Sequence, residues 1–449
     1  MLMPMSSEFD LLVRGGTVVS SSDRSRADIG IKDGKITAVG LLAERESAEV
    51  LDVTGLHVLP GVIDTQVHFR EPGLVHKEDI AHGSLAAVMG GVTTFFEMPN
   101  TAPTPTTAEA LADKLAIAGK SSWANYAFFV GASSDNIDSL VELEMLPGTP
   151  GVKVFVGSST GSLLVETDEL IREVFKHGKR PCAIHSEDEA RLRERKKLLN
   201  DEPHVREHPF VRDAEAARLS TERVLALCKE TGRAVHILHI STLDEIPMLR
   251  SAKWDGLPVT CEVTPQHLTL TVEDYEALGT KVQMNPPVRA EEHRLALWDA
   301  LKEGLFNVFG SDHAPHTLEE KQKPYPGSPS GMPGVQTMLP LLLDWSSRGE
   351  LSLEQIVGMT SENPASIYGI KGKGTIAPGF DADLAIVDLD ASFEVTYKWL
   401  KSKCGWSPFE GRTLTGKPIH TVVCGNVCMR NGSVTGEPTG RMVEFTWKS

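Results

Sequence analysis

The strongest constraint on this chain is a change of rhythm at Gly61. From there to about Ile370, short apolar runs alternate with segments of helical character. The runs include Gly91–Met98, Ala127–Val130, Val152–Val156, Ala183–His185, Val235–Ile240, Val259–Val263 and Val308–Asp312. Between them lie helical stretches such as Asp213–Thr231 and Glu291–Gly304. Strand alternating with helix implies parallel pairing, because each helix carries the chain back to the start of the next strand. Roughly eight such repeats over about 300 residues fit a (β/α)8 barrel, an α/β fold whose reactive groups sit at the carboxyl ends of the strands.

The flanks read differently. Leu11–Val19 and Ile29–Val39 carry alternating apolar residues, and Asp33-Gly34 is a strong hairpin signal. β character returns in Gly374–Val387 and Thr421–Cys428. Neither end has enough strands for its own core. Residues 1–58 and 373–449 are therefore expected to combine into one β-sandwich beside a barrel of residues 59–372.

Composition narrows the function classes. At 449 residues, 41% hydrophobic and 24% charged, the chain has the balance of an ordinary soluble protein. A formal charge of −16 argues against a nucleic-acid partner, which requires clustered Lys and Arg. No apolar run is long enough to span a bilayer, and the first residues lack the basic and apolar regions of a signal peptide. Six scattered cysteines make no disulfide framework, so a reducing cytoplasm is expected, with Cys424 and Cys428 as buried thiols.

The stretch Gly61-Val-Ile-Asp-Thr-Gln-Val-His-Phe-Arg-Glu-Pro-Gly73 reads as a buried strand ending in a turn, delivering Asp64, His68 and Arg70 to one end. It resembles the first barrel strand of the amidohydrolase superfamily, and the Phe-Arg-Glu-Pro-Gly tail resembles the branch of dihydroorotases and allantoinases. Met98-Pro-Asn-Thr101, Glu262-Val-Thr-Pro-Gln-His-Leu268, Met284-Asn-Pro-Pro287, Asp312-His-Ala-Pro-His316 and Cys404-Gly-Trp-Ser-Pro-Phe-Glu-Gly411 extend the resemblance over essentially the whole chain. It implies a composite sandwich beside the barrel, a homo-oligomeric (dimeric) assembly, and one or two zinc ions per subunit.

The implied metal ligands are His68, Lys153, His185, His239 and Asp312. Lys153 is flanked by valines, where a charged amine is costly to bury unless it snorkels to solvent. In the family, the matching lysine is carboxylated by CO₂ and its carbamate bridges two metals. The loop Gly157–Gly161 has hydroxyls and glycines but no P-loop ending, and reads as the loop after the lysine strand. Strand parity places His236 and His239 on opposite faces, so His236 is expected to face the helices or to pack. Gln66 departs from the family's His-x-His pair. A carboxamide oxygen is a poorer zinc ligand than imidazole. Three outcomes stay open: weak binding of the more buried metal, ligation through the amide oxygen, or an enzyme that runs on one metal; a site with at least one zinc on Lys153, His185 and His239 is expected.

The resemblance also supplies a mechanism. A metal-activated water attacks the ring carbonyl next to nitrogen, and Asp312 takes and then returns the proton. Arg70, Asn100 and His316 grip the carboxylate of a small anionic substrate, and Asn285 reads the pyrimidine ring edge. The implied reaction interconverts N-carbamoyl-L-aspartate and L-dihydroorotate in pyrimidine synthesis. Allantoinase is the nearest rival, and dihydropyrimidinase stands further off because its lysine-strand and tyrosine pattern is not seen after Lys153. A non-catalytic relative that binds a partner enzyme is a third reading, but only Gln66 departs from the ligand set.

Overall fold

The structure is a computed structural model and describes residues 7–42, 44–157 and 163–446. Ser158–Gly161 of the expected loop and the Met1–Ser6 terminus lie outside the described residues. Among the latter, seven strands precede the barrel: β1 (Phe9–Arg14), β2 (Thr17–Val19), β3 (Arg24–Arg26), β4 (Asp28–Lys32), β5 (Lys35–Gly40), β6 (Ser47–Asp52) and β7 (His57–Pro60). The barrel strands are β8 (Val62–Val67), β9 (Val92–Glu97), β10 (Asn125–Phe128), β11 (Val130–Gly131), β12 (Val152–Phe155), β13 (Cys182–His185), β14 (Val235–Ile237), β15 (Val259–Val263) and β16 (Val308–Phe309). After them come β17 (Leu384–Glu394), β18 (Thr413–Val423), β19 (Asn426–Arg430) and β20 (Ser433–Val434).

β8 to β10 form one parallel sheet and β11 to β16 another. Only Phe129 separates β10 from β11, so a single strand changes partner there, pairing with β9 below and β12 above. The ring closes where Val67 bridges His313 in parallel and His68 N donates to His313 O at 2.7 Å. The fold is thus a closed eight-position (β/α) barrel. Helices are set by their ends: Asp213 caps Ala214–Thr231 by accepting from Ala216 N, and Gly232, at φ 73°, stops it.

Alternation along the strands sorts the apolar residues into two layers. Phe95 points outward, its ring 4.5 Å from Phe69, into the core shared with the helices. Phe96 points inward, against Tyr368 at 5.2 Å and Phe129 at 6.1 Å. That inner cluster also holds Ile63, Ala127, Ala183 and Leu238, and Val443 and Phe445 of the C-terminal tail pack onto it. The barrel is filled by side chains and is not a pore.

The two chain ends build a sandwich together. One sheet runs β5-β4-β1-β6, and the other runs β20-β19-β18-β17-β7-β2-β3, with β7 antiparallel to β17. At the β4–β5 hairpin, Asp33 and Gly34 both have positive φ (52° and 75°), as a tight primed turn requires. The segment around Trp406 and Phe409 packs instead with Tyr275 and Met284 near the barrel mouth. Cys424 and Cys428 are buried free thiols. No described helix is long and apolar enough to cross a membrane.

Asp383 joins sandwich to barrel. It accepts from Asn125 Nδ2 of β10 at 2.9 Å, from Lys373 Nζ at 2.5 Å and from Cys424 N at 2.7 Å. Lys373 and Asp383 are both buried, so removing the cation strands a carboxylate. Lys373→Met is expected to cost about 3–5 kcal/mol in urea unfolding followed by tryptophan fluorescence. A loss below about 1 kcal/mol would show that the junction does not depend on this pair.

Candidate active site at the mouth of the barrel

One cavity of about 370 Å³ opens at the carboxyl ends of the strands, lined by Gln66, His68, Arg70, Asn100, Lys153, His185, His239, Asn285, Asp312 and His316. The implied ligands and substrate-binding residues therefore meet in one place, whereas Asp64 lies outside the cavity lining and accepts from the backbone of Gln66 and Ser311. Three of them have left-handed backbone: Arg70 (φ 66°), His239 (φ 37°) and Asp312 (φ 42°). Each follows a strand end, and the turn redirects its side chain into the mouth at a cost that surrounding packing must offset.

His239 shows the consequence. β14 ends at Ile237, and the left-handed residue breaks the alternation on which the parity argument relied. His236 is not helix-facing: it lies inside the barrel, its ring edge-on to Tyr368 at 5.8 Å and Nδ1 2.8 Å from Thr260 Oγ1. Both histidines face inward, at different depths. His236 packs, and His239 reaches the cavity.

The polar groups fall into two sets. In the first, Asp312 Oδ1 accepts from Gln66 Nε2 at 3.0 Å and lies 3.3 Å from His68 Nε2, while His68 Nδ1 is 2.6 Å from Asn100 Oδ1. In the second, His185 Nδ1 lies 3.1 Å from His239 Nε2, and His185 Nε2 lies 2.8 Å from Glu187 Oε2. Burial would raise the Glu187 carboxyl, but Arg212 and His185 outweigh it and hold the group well below the usual carboxylate range. An ionised Glu187 keeps the proton on His185 Nε2 and leaves the Nδ1 lone pair pointing into the cavity. Burial lowers both His185 and His239, favouring neutral rings.

Lys153 is 1% exposed, which excludes the snorkelling reading. Burial pushes its amine down to about 7, against the pull of Asp312 and Glu262. Its Nζ lies 4.5 Å from the centroid of the Phe155 ring.

The far end of the cavity is cationic. Arg70 is buried, and burial pushes its guanidinium down to about 10. It donates to Pro315 O at 3.3 Å, and its Nη2 lies 3.3 Å from His316 Nε2. Among the described residues no carboxylate comes within 4.0 Å of it, so a surface ion pair is not its role. Lys77 Nζ lies 3.1 Å from His316 Nδ1, and His316 Nε2 lies 3.0 Å from Ser330 O. The ring is thus held as a neutral tautomer, accepting from Lys77 and donating to Ser330. Burial, then Arg70, Lys77 and Lys321, hold its pKa far below that of a free histidine. Lys321 braces the wall by donating to the carbonyls of Gln283, Pro329 and Gly331. Asn285 Oδ1 is 3.0 Å from His208 Nε2.

Sequence reasoning missed Glu187 and Lys77, and met Trp406 only as part of the Cys404–Gly411 motif. Glu187 stands two residues after His185, and Lys77 seven after Arg70, yet neither spacing is diagnostic without the fold. Trp406, whose Nε1 donates to His316 O at 2.8 Å, explains why the motif near the C-terminus belongs with the site.

Barrel and mouth together define a hydrolase of the amidohydrolase family, and the chain belongs to it: the model of that family matches residues 57–428. The chain is 36% identical to the dihydroorotase of Methanosarcina acetivorans, over 98% of this chain and 96% of that one. It is 32% identical to the L-hydantoinase of Paenarthrobacter aurescens, over 96% of each. The solved structure of an L-hydantoinase from Arthrobacter aurescens superposes with a TM-score of 0.93 at 31% identity, covering 97% of this chain and 99% of the other. These relatives place the chain among the cyclic amidohydrolases.

The mouth fits the divalent metal that this family implies. His185 offers a bare lone pair beside His239, Lys153 has a readily deprotonated amine, and the buried Gln66 Oε1 has no partner among the described residues. Glu78, Asp79 and His82 also bring ligand atoms within 4.8 Å of one another. Their oxygens are already engaged, Asp79 by His82 N and Lys403, and Glu78 by Lys403 N. Glu187→Gln is expected to weaken retention of Zn²⁺ about 10- to 100-fold in a chelator competition. Unchanged retention would remove Glu187 from the support of that imidazole.

Proposed function

We propose that this chain is a zinc-dependent dihydroorotase, interconverting N-carbamoyl-L-aspartate and L-dihydroorotate. The observation that carries this reading is the buried guanidinium of Arg70, which faces the cavity without a carboxylate of its own. A buried cation with no carboxylate in contact is costly, and a substrate carboxylate would both neutralise it and be gripped bidentately. Hydantoin, allantoin and dihydrouracil rings carry no such group.

Lys153 as a carbamate, with His185 and His239, would hold the ion. The bound ion would supply Lewis acidity to the ring carbonyl and lower the pKa of water. Asp312, at the cavity floor, accepts the proton of the attacking water and returns it to the ring nitrogen. Arg70 and the amide nitrogen of Asn100 fix the carboxylate, while His316, already bonded on both ring nitrogens, backs Arg70. Asn285 faces the ring edge. This arrangement sets the scissile amide against Asp312 by anchoring the opposite end of the substrate.

A second reading is a hydantoinase-type hydrolase, supported by the closeness of the L-hydantoinase structure. Assays of dihydroorotate, hydantoin, allantoin and dihydrouracil in parallel separate the two. Dihydroorotate is expected to be preferred, and Arg70→Met is expected to weaken that preference about 10- to 100-fold, as loss of a hydrogen bond to a charged group predicts. Preference for a neutral ring, unaffected by Arg70→Met, would move the assignment to the second reading.

The depressed amine has its own test. CO₂ adds only to a neutral amine, and a group titrating at about 7 is half neutral there, against roughly one in a few thousand for an ordinary lysine. At fixed CO₂ pressure, a ¹³C carbamate signal is expected to rise from pH 6 to pH 8 and to vanish in Lys153→Ala. A signal absent at every pH would leave Lys153 unmodified.

A further inference from the structure

We infer that Lys77 is a positioning residue that sets substrate preference: its ammonium group fixes the tautomer of His316, and that tautomer keeps Arg70 available to a substrate carboxylate. The inference rests on the dihydroorotase reading above and deepens it, because that reading gives Lys77 no task.

Lys77 lies between β8 and the helix Ile80–Met89, half-buried on the wall of the cavity. Its Nζ stands between two partners, His316 Nδ1 at 3.1 Å and Glu320 Oε1 at 3.2 Å. Glu320 is itself fixed, its Oε2 accepting from Thr317 N at 3.1 Å in the capping box of the helix Leu318–Lys321. An ammonium group only donates, so the ring accepts at Nδ1. The opposite side of the ring requires the same tautomer independently. Nε2 lies 3.0 Å from Ser330 O, which only accepts, so the ring proton sits on Nε2.

That proton decides what Arg70 can do. Arg70 Nη2 lies 3.3 Å from the same Nε2. In the other tautomer Nε2 would carry a lone pair, and Arg70 would donate an N–H to it. With the proton on Nε2 the contact is donor beside donor, and Arg70 finds no acceptor in the ring. Two N–H groups side by side suit an anion, and a carboxylate brings two oxygens to meet them. A neutral ring offers carbonyl oxygens alone, and hydrogen bonds to uncharged acceptors are weaker. Apart from Lys77, the charged group within 4.0 Å of His316 Nδ1 among the described residues is Glu320, whose Oε2 lies 3.7 Å away. A carboxylate accepts, so removing the lysine moves a proton onto Nδ1 and opens Nε2 to Arg70.

The test reads the tautomer and the kinetics together. In protein labelled with ¹⁵N-histidine, protonated and bare ring nitrogens resonate far apart, and the His316 signals are those lost in His316→Gln. The wild type is expected to show a bare Nδ1 and a protonated Nε2. Lys77→Met is expected to protonate Nδ1 and to raise the KM for dihydroorotate about 10-fold, with a smaller change in kcat, since binding is what is lost. Glu320→Gln removes the carboxylate but leaves Lys77 at the ring, and is expected to keep the wild-type tautomer and KM. A proton on Nδ1 in the wild type would overturn the inference, as would a Lys77→Met protein with tautomer or KM unmoved. So would a Glu320→Gln protein whose KM rises as far as that of Lys77→Met, because the ion pair would then be a structural clasp. The two readings fail separately. A wild type that hydrolyses a neutral ring but not dihydroorotate sinks the dihydroorotase assignment and leaves the hold of Lys77 on His316 standing. Dihydroorotate turnover with a tautomer indifferent to Lys77 does the reverse.

Discussion

Closure between the first and last barrel strands is the constraint on which the mouth depends. His68 N donates to His313 O, and Asp64 Oδ1 accepts from both Gln66 N and Ser311 N. These bonds lock the strand that carries Gln66, His68 and Arg70 to the one that carries Asp312 and His316. A slip of one residue in that pairing would turn His68 away from the cavity. Gly310 makes the approach possible: a Cβ there would lie 2.3 Å from the Glu262 carboxyl group. The glycine before Ser-Asp-His is thus a packing requirement, and the catalytic geometry follows from it.

With the ring closed, the mouth concentrates charge that the rest of the molecule does not advertise. The chain as a whole carries −16, yet its cavity ends in Arg70, Lys77 and His316, with Lys321 braced behind the wall. Burial holds the pKa of Lys321 at about 7 and sets its amine on three carbonyls, so it acts as a structural strut rather than a substrate donor. Lys77 keeps Glu320 at 3.2 Å and lends its proton to His316. Arg70 alone has neither a carboxylate nor a saturating set of carbonyls. One such guanidinium at close range favours an anion even in an acidic protein, because screening is weak inside a cavity with low-dielectric walls.

The barrel was legible in the sequence because its period is coarse. Apolar runs such as Val152–Phe155 and Val259–Val263 need only be apolar and short to be read as buried strands, and Asp33-Gly34 announced its hairpin by backbone chemistry alone. The site was legible as a set of residues but not as a geometry. Parity assigned His236 and His239 to opposite faces, and it failed because a single left-handed residue after β14 cancels the alternation. Glu187 was invisible for a different reason: its partner Arg212 lies 25 positions away, and only the loops after β13 bring them together. Long-range pairing of polar groups leaves no periodic trace, whereas burial of apolar ones does.

The same logic separates what the fold fixes from what the loops fix. An L-hydantoinase shares this fold to a TM-score of 0.93, so the barrel and its sandwich are common property of the family. Function resides in what the loops place at the rim. Here Arg70 comes three residues after β8, in left-handed conformation, and its guanidinium is sunk into the cavity. The fold supplies a place where a hydrolytic site can form between rigid strand ends. One buried guanidinium with no carboxylate in contact among the described residues gives that generic place a charge of its own.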